Sequence, residues 1–101
     1  KPHRANVYAL DDALDDALAG AVFRTAARMA RAAKKAFGCE GVTLFQANEK
    51  AGAQTVFHFH IHVLPRWEGD GMALAWPVKN PPRAALEEMA EKLRGALAGH
   101  D

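Results

Sequence analysis

The sequence predicts an α+β domain with a long helix, a pair of antiparallel strands and a C-terminal helix. Three observations lead to this prediction. Apolar residues recur at helical spacing in residues 12–37 and 83–98, and residues 42–46 and 54–64 have the composition of strands. A short loop rich in small and polar residues separates the two strand segments, which favours an antiparallel pair. The 101 residues, of which 50% are hydrophobic, fit one domain with one modest core.

The first helix is predicted from about Asp12 to Phe37. Four aspartates lie at its front and five basic residues lie between Arg24 and Lys35, an order that complements the helix dipole. Gly38 marks the expected end of the helix. The basic face is expected to be solvated, because a net charge of +1 gives no electrostatic argument for nucleic acid or an acidic membrane surface.

The two strands differ in the chemistry that they carry. The first is an ordinary strand, whereas residues 54–64 carry His58, His60 and His62 in alternation with apolar residues. A period of two places the imidazoles on one face, with neighbours about 7 Å apart along the strand. Pro65 is expected to end this strand because proline has no N–H to donate to a sheet.

The second helix is predicted for residues 83–98, directly after Pro81 and Pro82. Its apolar stripe consists of Leu86, Met89, Ala90, Leu93 and Leu97. Residues 72–78 are ambiguous and fit either a short edge strand or an extended arm. Because two strands do not make an independently stable sheet, we expect partner strands upstream of Lys1 or in another subunit.

The composition argues against several classes of protein. No apolar run approaches the ~18 residues of a membrane span, and no signal-peptide pattern is present. Cys39 is the one cysteine, so an internal disulfide is impossible and a reducing compartment is the default. We therefore expect a cytoplasmic protein with neither a membrane nor a nucleic-acid partner.

The row of three histidines is the strongest indication of function. Imidazole titrates near neutrality, binds metals and can act as a nucleophile. Two classes of function follow from this chemistry. They are an enzyme with a covalent adduct on a histidine and a hydrolase whose zinc is held by the three strand histidines with an open fourth position.

Residues 58–64 resemble the complete histidine-triad (HIT) motif, which is His, apolar, His, apolar, His and two apolar residues. The flanking residues 54–56 and 65–66 resemble those of bacterial and Fhit-like members of the family. Lys1-Pro2-His3 is similar to the Pro-Lys-x-His segment before the family's first long helix. The likeness implies a single HIT domain with a HIT-like antiparallel sheet over residues 1–101. It aligns with the C-terminal two-thirds or so of a complete domain, whose N-terminal strands are expected outside this chain.

The resemblance implies a nucleotide hydrolase or transferase that acts at the α-phosphorus of a nucleoside monophosphate ester, anhydride or phosphoramidate. The middle histidine of the motif is the family's nucleophile and corresponds to His60, with His62 and His58 as polar support. Purine nucleoside phosphoramidates and dinucleoside polyphosphates are both candidate substrates. No cofactor is required, and family members are usually homodimers. The resemblance also allows a nucleotide-binding or sensor module with weak catalysis.

The loop before the motif is expected to contact phosphate. Its candidate donors are the side chains of Gln46, Asn48, Gln54 and Thr55. The chain departs from the family pattern at Ala47, where the family commonly has Asn or Gln, and at Ala53, where it usually has Gly.

The resemblance also implies a conditional structural zinc. Some members bind zinc through two upstream cysteines, the histidine of the Lys-x-His segment and the first motif histidine. The two histidines correspond to His3 and His58, and the site depends on cysteines before Lys1 because Cys39 matches neither one. His100 is expected to be exposed and to have no role.

Overall fold

The longest helix, α1, spans Asp16–Phe37 in the computed structural model, which describes residues 3–73 and 76–98. It ends as predicted at Gly38, whose φ of 62° is left-handed and whose N–H donates to the Lys34 carbonyl. Glycine adopts this conformation without the steric cost that a Cβ brings, so it stops the helix at this point.

The predicted start of α1 at Asp12 was too early. The Asp11 carboxylate accepts the N–H groups of Ala13 at 2.9 Å and Leu14 at 2.7 Å, which makes this stretch a turn. Short aspartate side chains favour such turns because they bond to nearby backbone N–H groups in competition with a helix. Asp16 lies within the helix, and the other three aspartates at its front precede it; they are Asp11, Asp12 and Asp15.

Two antiparallel strands pack against α1. They are β1, Gly41–Phe45, and β2, His62–Arg66. The register pairs the first residue of β1 with Arg66 and the last with His62. The predicted antiparallel pair is therefore confirmed, and the third histidine of the motif lies at the entrance to β2.

The predicted strand over residues 54–64 was wrong in its extent. Strand pairing begins only at His62, and it continues through Pro65 to Arg66. Proline is compatible with this position because each strand of a two-stranded sheet is an edge strand. The residues before His62 bond to the N-terminal segment of the chain instead of to β1, as the Phe59 N–H shows.

The core between α1 and the sheet is built from small residues. Ala26 and Ala33 of α1 and Cys39 after it are buried, and Cys39 is only 4% exposed. Small side chains bring the helix backbone close to the strands, so packing here depends on close approach more than on large apolar groups.

An apolar cavity of about 450 Å³ lies between α1 and the entrance to β2. Leu18, Val22 and Met29 line it from the helix, and Ile61 and Val63 line it from the opposite side. Successive residues of an extended chain point to opposite sides. Ile61 and Val63 therefore face α1 together, as the predicted alternation requires of residues two positions apart.

The second helix, α2, spans Arg83–Ala98, as predicted. The chain divides after Gly71 into two compact units, and α2 lies in the second. At its first turn the Pro82 carbonyl accepts the N–H groups of Ala85 and Leu86. The exposed apolar side chains of its stripe are Leu86, Met89, Leu93 and Leu97. Its ion pairs are Arg83–Glu87, Glu88–Lys92 and Glu91–Arg94.

Several predictions concern residues with little or no described structure. Residues 72–73 and 76–78 have no regular secondary structure, so they do not form the edge strand considered for them. Residues 74–75, the segment Lys1-Pro2 and His100 lie outside the described residues. Within residues 3–73 and 76–98, no helix combines the length and the apolar character needed to cross a membrane.

Candidate active site

The three motif histidines and His3 form two pairs, so the motif does not make one evenly spaced row. Nε2 of His60 lies 3.1 Å from Nε2 of His62, and the two rings meet edge to face with centroids 4.7 Å apart. The ring of His58 turns away to His3, with their Nδ1 atoms 3.3 Å apart. The reason is that His58 and His60 precede β2, so the regular spacing of a strand does not apply to them.

A backbone carbonyl defines which nitrogen of His60 carries the proton. Nδ1 of His60 bonds to the carbonyl oxygen of His58. Since a carbonyl oxygen only accepts, Nδ1 must carry the hydrogen, and the lone pair of the neutral ring lies on Nε2. The bond between the two Nε2 atoms then requires His62 to be the donor. His60 thus presents an unprotonated nitrogen beside an N–H group.

Residues 3–7, which we call the N-terminal strap, run beside the histidine motif. The Phe59 N–H donates to the Arg4 carbonyl at 2.6 Å. One residue earlier in the strap, His3 faces His58, with ring centroids 5.2 Å apart. These contacts replace strand pairing in front of β2 and fix the backbone of the first two motif histidines.

The buried side chain of Gln54 connects the strap to the loop before the motif by hydrogen bonds. It is 5% exposed. Its Nε2 donates to the carbonyls of Ala5 at 2.6 Å and Val56 at 3.0 Å, and its Oε1 accepts the Glu49 N–H at 2.6 Å. Both amide protons are therefore engaged within the protein, which gives this side chain a structural role, and its expected phosphate contact stays a prediction.

Gln46 and Asn48 bond to each other. Gln46 Nε2 donates to Asn48 Oδ1 at 2.7 Å, and Asn48 Nδ2 donates to Gln46 Oε1 at 2.8 Å. The Val7 N–H of the strap also donates to Asn48 Oδ1, at 2.8 Å. The pair expected to bind phosphate thus also holds the loop against the strap, while Thr55 is exposed at the end of the loop.

Two residues of this loop have left-handed backbone angles without being glycine. Glu49 has φ 63° and ψ 170°, a region that is nearly restricted to glycine, and Ala53 has φ 72° and ψ 27°. Each conformation is unfavourable for a side chain with a Cβ. The hydrogen bonds of Gln54 with Glu49 in the loop and with Ala5 in the strap oppose this cost.

The strap is anchored by a bidentate ion pair. Nε and Nη2 of Arg4 donate to the two carboxylate oxygens of Asp15 at 2.9 and 3.0 Å, and Asp15 is 4% exposed. Its bonds with Arg4, and next with the Asp11 N–H, lower the pKa of the Asp15 carboxyl below its ordinary value. Sequence reasoning missed this pair, because the two residues lie 11 positions apart and share no local pattern.

A second bidentate pair lies at the other end of β2. Nε and Nη2 of Arg66 donate to the carboxylate of Asp70 at 2.7 and 3.1 Å, and Nη1 donates to the Thr43 hydroxyl of β1 at 3.1 Å. The carboxylate raises the pKa of Arg66. This pair fixes the turn after β2 and is remote in sequence from the strap.

The distance between the Nδ1 atoms of His3 and His58 is that expected of two ligands of one zinc ion. Two nitrogens bound to one tetrahedral zinc at about 2.0–2.1 Å lie about 3.3–3.4 Å apart, and the two Nδ1 atoms are 3.3 Å apart. Among residues 3–73 and 76–98, no group of three or more His, Cys, Asp or Glu side chains could hold a metal ion. The described residues therefore supply two ligands at this position.

The comparisons with known proteins agree on one family. A model described as the HIT domain matches residues 2–69. Protein hit of Bacillus subtilis is 35% identical over 77 residues, which are 75% of this chain and 50% of that protein. The adenosine 5'-monophosphoramidase of Candida albicans is 33% identical over 63 residues, or 61% of this chain and 41% of that protein.

A solved structure gives the same answer for the fold. The crystal structure of a HIT family protein from Bacillus anthracis superposes with a TM-score of 0.81 at 29% identity, over 95% of this chain and 67% of that one. The chain spans half or less of the two curated relatives named above. Because the family model covers most of its residues, the chain belongs to the HIT domain family.

Proposed function

We propose that this chain carries the reactive site of a nucleotide hydrolase or transferase in which His60 is the nucleophile. The observation that carries the proposal is the hydrogen bond from Nδ1 of His60 to the His58 carbonyl. It leaves a lone pair on Nε2, which is the form of imidazole that can attack phosphorus. The similarity to a protein named as an adenosine 5'-monophosphoramidase supports the same class of chemistry.

In the first step, the lone pair of His60 Nε2 forms a bond to the α-phosphorus of a nucleoside monophosphate derivative. The bond from phosphorus to the leaving group breaks, and its electron pair departs with that group. His62, whose Nε2 lies 3.1 Å from Nε2 of His60, acts in its doubly protonated form: it donates the Nε2 proton to the leaving group and becomes a neutral imidazole. Its N–H can also stabilise the negative charge that develops on the phosphate oxygens.

In the second step, water attacks the phosphorus of the nucleotidyl-imidazole. The nitrogen–phosphorus bond breaks and its electron pair returns to His60. The proton of the attacking water passes to His62, which restores the starting site. His58 acts through its backbone carbonyl, so its main-chain role is distinct from any role of its ring.

The geometry favours this mechanism over a catalytic zinc held by three motif histidines. The ring of His58 faces His3, and Nδ1 of His60 is engaged by a carbonyl. The three rings therefore do not converge on one point. A binding or sensor module with weak catalysis differs from the proposed enzyme in turnover, which the experiment below measures.

We propose a purine nucleotide as the substrate, with a phosphoramidate or a dinucleoside polyphosphate as the two alternatives. Gln46, Asn48, Gln54 and Thr55 remain the proposed phosphate contacts of the loop. A homodimer and a cytoplasmic location complete the proposal, and both stay predictions.

The test is to react the intact protein with one substrate of each type and to trap the adduct by acid-free mass spectrometry. We expect an added nucleoside monophosphate on the peptide that contains His60. His60→Ala should lower kcat by about 10⁴-fold or more while nucleotide binding persists. His62→Ala should keep adduct formation at a reduced rate. Turnover by a clean His60→Ala preparation at the original rate would contradict the proposal.

We also propose that His3 and His58 are two ligands of a structural zinc. The support is their nitrogen separation of 3.3 Å. Metal analysis of the intact protein should find one zinc per chain, and His3→Asn should reduce that content. No stoichiometric zinc in the intact protein would refute this site without affecting the role of His60.

A further inference from the structure

One peptide unit of the histidine motif is held at both of its polar ends. The carbonyl of His58 accepts the Nδ1–H of His60. The N–H at the other end of the same peptide unit belongs to Phe59, and it donates to the Arg4 carbonyl at 2.6 Å. A peptide unit is planar, so its N–H and C=O cannot rotate independently. The Arg4 carbonyl therefore determines where the His58 carbonyl points.

Arg4 is held in turn by its own side chain. Its guanidinium makes the bidentate pair with Asp15 at 2.9 and 3.0 Å, and Nη1 donates to the carbonyl of His3 at 3.1 Å. A planar fork bound at two points has less freedom than a single contact. The strap backbone at positions 3 and 4 is thus fixed on both sides of the Arg4 Cα.

Asp15 fixes this arrangement to the start of α1. Its carboxylate is buried and also accepts the Asp11 N–H at 2.7 Å, and its carbonyl accepts the Ala19 N–H at 2.8 Å. The residue immediately precedes the first residue of the longest helix. A group supported by regular structure positions a site more accurately than a group on an unsupported loop.

We propose that Asp15 and Arg4 are positioning residues that hold His60 in its Nδ1–H tautomer through the peptide unit between His58 and Phe59. The ion pair fixes the strap, the strap fixes the peptide unit, and the peptide unit directs the proton of His60 to Nδ1. Nε2 then stays unprotonated. The catalytic value of that state rests on the proposed function, whereas the tautomer itself does not.

The test measures the tautomer directly in the intact protein with ¹⁵N-labelled histidine. At a pH of about 8.5, where ordinary imidazoles are neutral, the nitrogen shifts of His60 should show the hydrogen on Nδ1. In Asp15→Asn and Arg4→Gln, the shifts should move toward a mixture of both tautomers. The Phe59 amide should exchange with deuterium at least about tenfold faster, because its acceptor is no longer fixed.

The matched control is Asp70→Asn, which breaks the other bidentate pair and leaves the strap intact. It should change neither the His60 shifts nor the Phe59 exchange rate. Arg4→Lys keeps the charge without the fork and should give values between those of Arg4→Gln and the unaltered protein, which provides a readable variant if Asp15→Asn does not fold. Unchanged His60 shifts in a folded Arg4→Gln, or equal changes in Asp70→Asn, would overturn the proposal.

A kinetic measurement links the tautomer to catalysis. Losing a group that orients a reacting histidine through its second nitrogen typically lowers activity about 10–100-fold. We expect a drop of that size in kcat for Asp15→Asn with KM changed less than about twofold, since neither residue contacts the reacting atoms. A KM effect with unchanged kcat would contradict a positioning role. If the unaltered protein forms no adduct, the proposed function fails, while the nitrogen shifts still decide the role of Arg4 and Asp15.

Discussion

The histidine region and α2 are stabilised in opposite ways. In α2, each ion pair joins residues three or four positions apart, and all the side chains involved are well exposed. Around the histidines, the strap contacts residues more than 40 positions away, through Val7 with Asn48, Ala5 with Gln54 and His3 with His58. One region repeats a local pattern and the other depends on single long-range bonds.

This difference predicts how each region responds to substitution. A local pair on an exposed helix contributes little, because water solvates both partners when the pair is broken. A buried group that joins two distant segments leaves its partners without hydrogen bonds when it is removed. Substitutions in the strap and loop should therefore have large effects, and those in α2 small ones.

The largest effect on stability is expected for Asp15→Asn, and it should depend on pH. Because Arg4 and the Asp11 N–H lower the pKa of Asp15 in the folded protein, the charged carboxylate stabilises the fold. That stabilisation is complete above the unfolded pKa of about 3.9 and is lost as the pH falls through the lower folded value. In urea unfolding at pH values from 7 to 2, the free energy of unfolding of Asp15→Asn should be lower than that of the unaltered protein at pH 7. This gap in free energy should close at the acid end. A gap independent of pH would contradict this account.

The next largest effect is expected for Gln54→Ala. The substitution leaves the Ala5 carbonyl and the Glu49 N–H without their buried partner, which should lower the free energy of unfolding by about 2 kcal/mol. Gln46→Ala is the matched control, since Gln46 is only half-buried, and it should cost about 1 kcal/mol or less. Equal losses for the two variants would show that burial of the amide is not the cause.

Glycine at the two left-handed positions of the loop should stabilise the protein. Ala53→Gly should raise the free energy of unfolding by about 0.5–1 kcal/mol and Glu49→Gly by about 1–2 kcal/mol, because glycine removes the steric cost of positive φ. Ala32→Gly, the same change in an exposed position of α1, should lower it by about 1 kcal/mol. Destabilisation by both loop variants in thermal or urea unfolding would refute the strain argument.

The smallest effect is expected in α2. Glu91→Gln removes the pair with Arg94, whose side chains are 74% and 64% exposed. The free energy of unfolding should fall by less than about 0.5 kcal/mol, and the difference should disappear in high salt. A loss as large as that of Gln54→Ala would remove the contrast between the two regions.

The same contrast explains what the sequence could predict. The bounds of α2 and the end of α1 at Gly38 follow from residues close in sequence, and both predictions are confirmed. The antiparallel pair is confirmed as well. The alternation of residues 54–64 predicted a strand, but hydrogen bonds to the strap decided their backbone instead. The periodicity of a segment cannot predict a bond such as that from Phe59 to Arg4, because the two residues lie far apart in sequence.

The candidate site shows the same limit. The HIT motif identified the histidines and the family, which the family model confirms. The resemblance placed His3 beside His58 as a conditional zinc ligand, but it did not predict that Gln54 is buried in a structural role. That role depends on which segment packs beside the motif. The assignment of His60 as nucleophile stays a prediction.

The burial of Cys39 gives the molecule an internal reporter. It is the single thiol of the chain, and it lies where α1 turns toward β1 with 4% of its surface exposed. A soluble thiol reagent reaches such a sulfur only when the surrounding structure opens. The rate of labelling therefore measures how often the helix and the strand separate, without any substitution. Comparing that rate with and without nucleotide would show whether nucleotide binding at the histidines makes the structure around Cys39 open less often.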